Sequence, residues 1–147
     1  VIITLSESWD LKNLEKELFP EMQLFFDDVG AAGRNHSRTQ LFSGRVRGGL
    51  NFTNGCNTQF QGLVGEAAKE ATYELQFCHY NQIPQWKPLY RNRLVNFVHD
   101  EWVAECLREK AEEALPAMEK LLVSVVQKWM PNVPIEIEGK IMERWTK

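Results

Sequence analysis

The stretch from Leu94 to Cys106, Leu-Val-Asn-Phe-Val-His-Asp-Glu-Trp-Val-Ala-Glu-Cys, constrains the fold more than any other part of this chain. Leu94, Val95, Phe97 and Val98 form an apolar, β-prone run that leads into His99, Asp100 and Glu101, and Trp102, Val103 and Ala104 form a second run directly afterwards. Two such runs separated by a pair of acidic residues predict a tight antiparallel hairpin over 94–106. Its turn then holds two adjacent carboxylates at the tip of rigid strands. Acidic residues are ordinary turn chemistry. Held rigidly in a pair, they also suit Mg²⁺, which takes oxygen ligands and is usually bound by one or two carboxylates plus substrate phosphates. Asp100 and Glu101 are therefore the candidate metal ligands, with His99 beside them.

The rest of the chain reads as helices and loops around that hairpin. Val1 to Leu5 is a short β-prone run, and Ser6 or Ser8 is a candidate helix cap. Leu11, Leu14, Leu18 and Phe19 follow near helical spacing, Pro20 opens a second helix, and Met22, Phe25, Phe26 and Val29 supply its core stripe up to Gly30 and Gly33. Residues 35–49 read as irregular, with a short strand at Thr39 to Phe42, and Asn54-Gly55 reads as a turn. A helix is predicted over Asn57 to Phe77, a loop over His79 to Arg93, and a long helix over Leu107 to Met130 that Pro116 should kink or break. Val133 to Ile141 alternates, with Ile135, Ile137 and Ile141 on one side and Glu136 and Glu138 on the other, and predicts a closing strand.

A chain of 147 residues with 44% hydrophobic content is one domain's worth. No apolar run approaches the roughly 18 residues of a membrane span. The first residues lack a basic leader and a cleavage site, so no signal peptide is expected. The chain opens on Val1 without Met, as a processed product or a fragment would. Cys56, Cys78 and Cys106 are odd in number and widely spaced, which suits reduced cytosolic thiols better than a zinc site. The net charge of −3 argues weakly against nucleic acid, but its distribution argues the other way. From Val29 to Gly65 there is no Asp or Glu, while Arg34, Arg38, Arg45, Arg47 and His36 lie within that stretch. A chain with one basic side suits a polyanion; a solvated basic loop is the plainer reading.

The hairpin segment resembles the third signature motif of the family A DNA polymerases, the bacterial DNA polymerase I type, where an apolar strand, Val-His-Asp-Glu and a second apolar strand form the palm hairpin. Three more segments resemble that family in the same order. Thr39 to Arg47 looks like its Thr-Leu-x-Gly-Arg-Arg segment. Asn57 to Gly62 looks like its Asn-x-Pro-x-Gln-Gly helix start, with Gln59 where the family has Pro. Pro134 to Trp145 looks like its closing strand. Together they cover roughly residues 15 to 147. The family often carries an Arg four residues before the motif Asn, where this chain has Thr53.

The resemblance implies an α+β fold: an antiparallel palm sheet with a catalytic β-hairpin, packed against long helices. Residues 1–49 would be the helical end of the fingers and the return to the palm, and residues 50–147 the palm. Asp100 would be a ligand shared by two metal ions, Glu101 a secondary ligand, and His99 a group that holds the primer terminus. Arg45 and Arg47 would meet DNA phosphates, for which guanidinium groups combine charge with several fixed donors. Asn57 and Gln61 are four apart and share a helix face. Gln61 would read minor-groove acceptors, which every correct pair presents, and Asn57 would contact the template side or the nascent pair. Without the resemblance, Asn57 reads as a helix cap and Gln61 as an exposed side chain.

The implied cofactor is Mg²⁺, and the implied partners are primer–template DNA, deoxynucleoside triphosphates and the N-terminal remainder of the polymerase, with no membrane. The implied location is the cytoplasm of a bacterium or a phage-infected host. The family's first motif, with the other essential Asp, and its fingers helix with Arg and Lys do not occur here, so this chain alone is expected to be inactive. A non-catalytic DNA-binding or assembly subunit with the same fold is the alternative, and a small metal-dependent nuclease is a further one.

Overall fold

The computed structural model describes residues 3–145, so the β-prone run at Val1 to Leu5 falls partly outside the described residues; Leu5 itself is helical. Helix α1 spans Leu5–Leu18 and starts from a reciprocal capping box. Thr4 Oγ1 accepts from the Glu7 amide at 3.3 Å, and the Glu7 carboxylate accepts from the Thr4 amide at 2.7 Å. Those hydrogen bonds, the backbone one first, hold the Glu7 carboxyl below its ordinary pKa. Thr4 is thus the cap rather than Ser6 or Ser8, because only a residue three before a Glu can complete this box.

The fold is α+β, and the chain divides into two compact units, residues 1–61 and 62–147. The first unit contains α1, α2 (Pro20–Ala31), strands β1 (His36–Thr39) and β2 (Val46–Leu50), and the opening turns of α3 (Phe52–Tyr80). Helix α1 buries no residue: Leu11, Leu14, Leu18 and Phe19 are each at least half exposed. Helix α2 buries Val29 completely and half-buries Met22, Phe25 and Phe26, as its spacing predicts. The ring centroids of Phe25 and Phe60 lie 5.1 Å apart, edge to face.

Residues 35–49 are not irregular. They form an antiparallel hairpin in which Arg38 pairs with Arg47 and Thr39 with Val46. The run is polar on its exposed faces, so the sequence shows little apolar alternation; the hairpin is tied instead by buried Gln40 and by Arg38, which bonds the Asp28 carboxylate at 2.5 Å. Asn54-Gly55 is likewise no turn but part of α3, which starts five residues before the predicted Asn57. Asn51 Oδ1 accepts from the Asn54 amide at 2.8 Å, the geometry of a cap. Glycine stands at 55 because space demands it: a Cβ there would lie 2.8 Å from Val29 Cγ1 and 3.0 Å from His36 Nε2.

The second unit is built on the remainder of α3, strands β3 (Arg93–Val98) and β4 (Glu101–Glu105), and helix α4 (Ala111–Trp129). Its core joins Ala71, Leu75 and Cys78 of α3 to Leu89 and to Leu121, Leu122 and Val125 of α4. Helix α3 runs on to Tyr80, and Pro84–Leu89 forms a 3-10 helix, where the sequence predicts only a loop. Burial of Cys78 and Leu89 drives this, and Trp86 packs against the core. Helix α4 is neither broken nor ended at Pro116; it is one element from Ala111 to Trp129. Its buried stripe outweighs the one backbone hydrogen bond that Pro removes.

The closing strand predicted at Val133 to Ile141 is a segment outside any ladder. The alternation is real: Ile135 and Ile137 are half-buried, while Glu136 and Glu138 are exposed. Ile141 departs from it at 43% exposure. Strand identity requires a hydrogen-bonded neighbour as well as a pattern, and here the Gly139 amide donates to Glu119 Oε1 at 2.7 Å instead. Among the described residues the sheets are β1–β2 and β3–β4, each two-stranded. Among the described residues, no helix is long and apolar enough to cross a membrane, and Cys56, Cys78 and Cys106 are all free thiols.

Candidate functional site

The hairpin forms where the apolar runs predict it. Arg93 pairs with Glu105, Leu94 with Ala104, Asn96 with Val103, Phe97 with Trp102 and Val98 with Glu101; the register slips between Leu94 and Asn96, so Val95 is an extra residue that bulges one strand. The Phe97 and Trp102 rings meet with centroids 4.9 Å apart. The Trp102 indole N–H donates to Thr72 Oγ1 at 2.9 Å, which fastens β4 to α3 one residue from Glu101.

The two turn residues are His99 and Asp100, because Val98 and Glu101 already pair. This shifts the expected turn, Asp100 and Glu101, by one position. His99 carries φ 59°, a left-handed value that costs a non-glycine residue about 1–2 kcal/mol. His99, Asp100 and Glu101 are all exposed. Glu101 Oε1 accepts from the Trp145 indole at 3.2 Å, so one carboxylate of the pair has a protein partner.

Asp100 and Glu101 fit a hard divalent cation by donor type, as two adjacent carboxylates. Among the described residues, no three His, Cys, Asp or Glu side chains come together as a metal-binding group. Two adjacent carboxylates alone offer fewer oxygen donors than the octahedral shell of Mg²⁺ takes.

The four DNA-contact candidates belong to the first unit, and three of them gather near Thr58. Arg47 Nη1 donates to Thr58 Oγ1 at 3.5 Å. Gln40 Nε2 donates to the Thr58 carbonyl at 2.9 Å, and the Gln40 amide donates to the Arg45 carbonyl at 2.8 Å. Asn57 is the neighbour of Thr58, and Gln61 lies one turn further along α3. All four candidates are exposed. Asn57 does not cap α3, which begins at Phe52. Gln40, 5% exposed, and Thr58, 2% exposed, are the positioning residues that sequence reasoning missed. Their signal was faint: two polar residues of unremarkable type whose burial depends on a hairpin that was not foreseen.

No family model matches the chain, and no solved structure matches it. Part of the chain is nevertheless DNA polymerase I-like. The relative is DNA polymerase I of Aquifex aeolicus (strain VF5), which is 49% identical over 55 residues, 37% of this chain. The match spans 10% of that polymerase's length.

Proposed function

We propose that this chain is part of a family A DNA-directed DNA polymerase, bacterial or phage-encoded, and that it supplies one carboxylate hairpin and a set of primer–template contacts for two-metal nucleotidyl transfer. The observation that carries this reading is the hairpin tip, where an ordered two-residue turn presents Asp100 next to Glu101 in a chain with a DNA polymerase I-like segment.

Asp100 and Glu101 would hold Mg²⁺ together with substrate phosphates. The cation, when bound, supplies charge stabilisation for an in-line displacement at phosphorus. Asp100 is the principal ligand on this reading, since Glu101 already accepts from Trp145. His99 positions the primer terminus. Arg45 and Arg47 neutralise backbone phosphates, and Asn57 and Gln61 donate from one face of α3 to acceptors at the minor-groove edge. The partner polypeptide is the N-terminal remainder, which brings the second metal-binding carboxylate and the residues that grip the triphosphate.

Primer extension with Mg²⁺ tests this, using the chain alone and then with the polypeptide encoded upstream in the same genome. Extension is expected only in the mixture, and Asp100→Ala should abolish it. Undiminished extension by Asp100→Ala removes Asp100 from the metal site. DNA binding without extension would instead support a non-catalytic DNA-binding or assembly subunit, and Mg²⁺-dependent cleavage by the chain alone would support a nuclease.

A further inference from the structure

Helix α3 has a face that the second unit leaves uncovered. Tyr73, Phe77 and Tyr80 stand at i, i+4 and i+7, one stripe along its last two turns. Ala71, Leu75 and Cys78 occupy the opposite, buried side. The three rings are 63%, 42% and 70% exposed. Tyr73 and Phe77 lie nearly parallel, with centroids 6.2 Å apart and planes at 23°. An exposed aromatic row of this kind marks an interaction site, and its flat, aligned rings offer a stacking platform.

The segment after the helix brings positive charge to the end of this row. The Arg91 amide donates to the His79 carbonyl at 2.9 Å, so the chain returns to the residue next to Tyr80. Arg91 holds φ 70°, a left-handed value uncommon outside glycine, and its guanidinium carbon sits 5.4 Å from the centroid of the Tyr90 ring. The Tyr90 amide donates to the Lys87 carbonyl at 3.2 Å, which keeps a second cation one turn away. Arg93 follows at the start of β3, opposite Glu105 in the ladder. Among the described residues, Lys87, Arg91 and Arg93 form no ion pair, and from Leu75 to His99 there is no Asp or Glu. The carboxylates nearer the start of the row are engaged elsewhere. Glu66 pairs with Lys69 at 2.9 Å, and Glu70 accepts from the Trp129 indole at 2.5 Å. Glu74 shares the Cys78 side of the helix, four residues before it.

We propose that the C-terminal half of α3 and the segment from Lys87 to Arg93 bind single-stranded nucleic acid, with bases stacked on Tyr73, Phe77 and Tyr80 and phosphates held by Lys87, Arg91 and Arg93. Bases stack on aromatic faces whatever their sequence, and cations track the phosphates. A polynucleotide meets both needs at once. An apolar protein surface would cover the rings but desolvate the cations unpaired, which is costly. The site is separate from the carboxylate tip: β3 runs from Arg93 to Val98, so the two stand about 17–20 Å apart. It stands without the polymerase reading, since neither the rings nor these cations belong to the hairpin tip or to the primer–template contacts.

Fluorescence anisotropy of a labelled oligothymidylate, titrated with the full chain, tests this. The chain should bind it, and unlabelled oligothymidylate should compete better than a blunt duplex of the same length. Tyr80→Ala should weaken binding about fivefold or more, whereas Tyr80→Phe, which keeps the ring, should bind as the parent does. Arg91→Gln should lower the log–log salt slope by about 0.7, the value for one phosphate of a single strand. Tyr80 and Arg91 are exposed, so both variants should fold; should Tyr80→Ala not fold, Tyr73→Ala decides in its place. Absence of binding overturns the proposal, as does a duplex that competes equally well. An affinity indifferent to Tyr80, or a salt slope indifferent to Arg91, overturns it too and assigns the binding to other residues. Weaker association of Tyr80→Ala with the upstream polypeptide, with oligothymidylate binding intact, overturns it and makes the row a protein interface.

Discussion

The indole N–H of Trp102 donates to the hydroxyl of Thr72, 2.9 Å away and 30 residues earlier in the chain. The Thr72 hydroxyl donates to the Ala68 carbonyl at 2.7 Å, so its oxygen lone pairs are free to accept. The tip carboxylates are thereby held by a neighbour anchored in a long helix rather than by the hairpin alone. Trp102→Phe keeps an aromatic partner for Phe97 and removes the donor. It should lower unfolding free energy in urea by about 1 kcal/mol, the net worth of one hydrogen bond, and speed amide exchange in β4. Unchanged stability and exchange would show that the ring packing alone anchors the strand.

His99 occupies φ 59° in the turn. Replacement by Gly removes a left-handed penalty of about 1–2 kcal/mol but adds unfolded-state entropy worth about 0.5–1 kcal/mol. His99→Gly should therefore leave stability unchanged or slightly raised, whereas β-branched His99→Val should lower it by more than about 1 kcal/mol. Chemical denaturation of both variants checks this. Equal effects would mean that the turn relaxes out of the left-handed region. A His retained at a strained position is a pointer to function, so loss of primer extension by the folded Gly variant in the assembled enzyme is the matching expectation.

The hairpin was legible because its signal is local: two apolar runs with a polar tip leave few other ways to bury Leu94 and Trp102. The buried faces of α2 and α4 were legible for the same reason, since Val29, Leu121, Leu122 and Val125 fall at helical spacing. Features that depend on a distant neighbour were not. Gly55 looks like half of a turn until Val29 and His36 are seen against it. Residues 133–141 look like a strand, and only the surrounding chain decides whether a ladder forms. At the candidate site, the residue types were readable, whereas the support of Arg47 by Thr58 and of Glu101 by Trp145 required the fold.

Gly55 gives a direct test of that close packing. In an open helix Gly→Ala gains about 1 kcal/mol. Here the added methyl would sit 2.8 Å from Val29 Cγ1, and overpacking costs about 1–3 kcal/mol. Gly55→Ala should be net destabilising, and Gly55→Ala with Val29→Ala should recover part of the loss in a double-mutant cycle. A stabilised single variant would mean that α2 and α3 separate easily at this point.

His79 sets a pH dependence. Burial lowers its pKa to about 4, against about 6.5 in an unfolded chain. Between those values the unfolded chain holds a proton that the folded chain refuses, so stability falls as pH drops through the window and is fully present above it. The slope from this group is at most about 1.4 kcal/mol per pH unit. His79→Gln should flatten the urea midpoint between pH 6.5 and 4 relative to the parent chain. An unchanged slope would assign the acid sensitivity to carboxylates.

Arg47 separates electrostatic from structural roles on the proposed DNA-facing side. Its guanidinium reaches Thr58 only at 3.5 Å, a weak bond whose loss should cost little stability. As a phosphate contact it should release about one counterion on binding, so Arg47→Ala should weaken DNA binding for all sequences alike and reduce the log–log salt slope by about 0.9. Gln61→Ala, which removes the proposed minor-groove donor and no charge, should weaken binding and leave that slope unchanged. Duplex titrations from low to moderate salt distinguish the two. An unaltered slope in Arg47→Ala would mean that this arginine faces solvent and not phosphate.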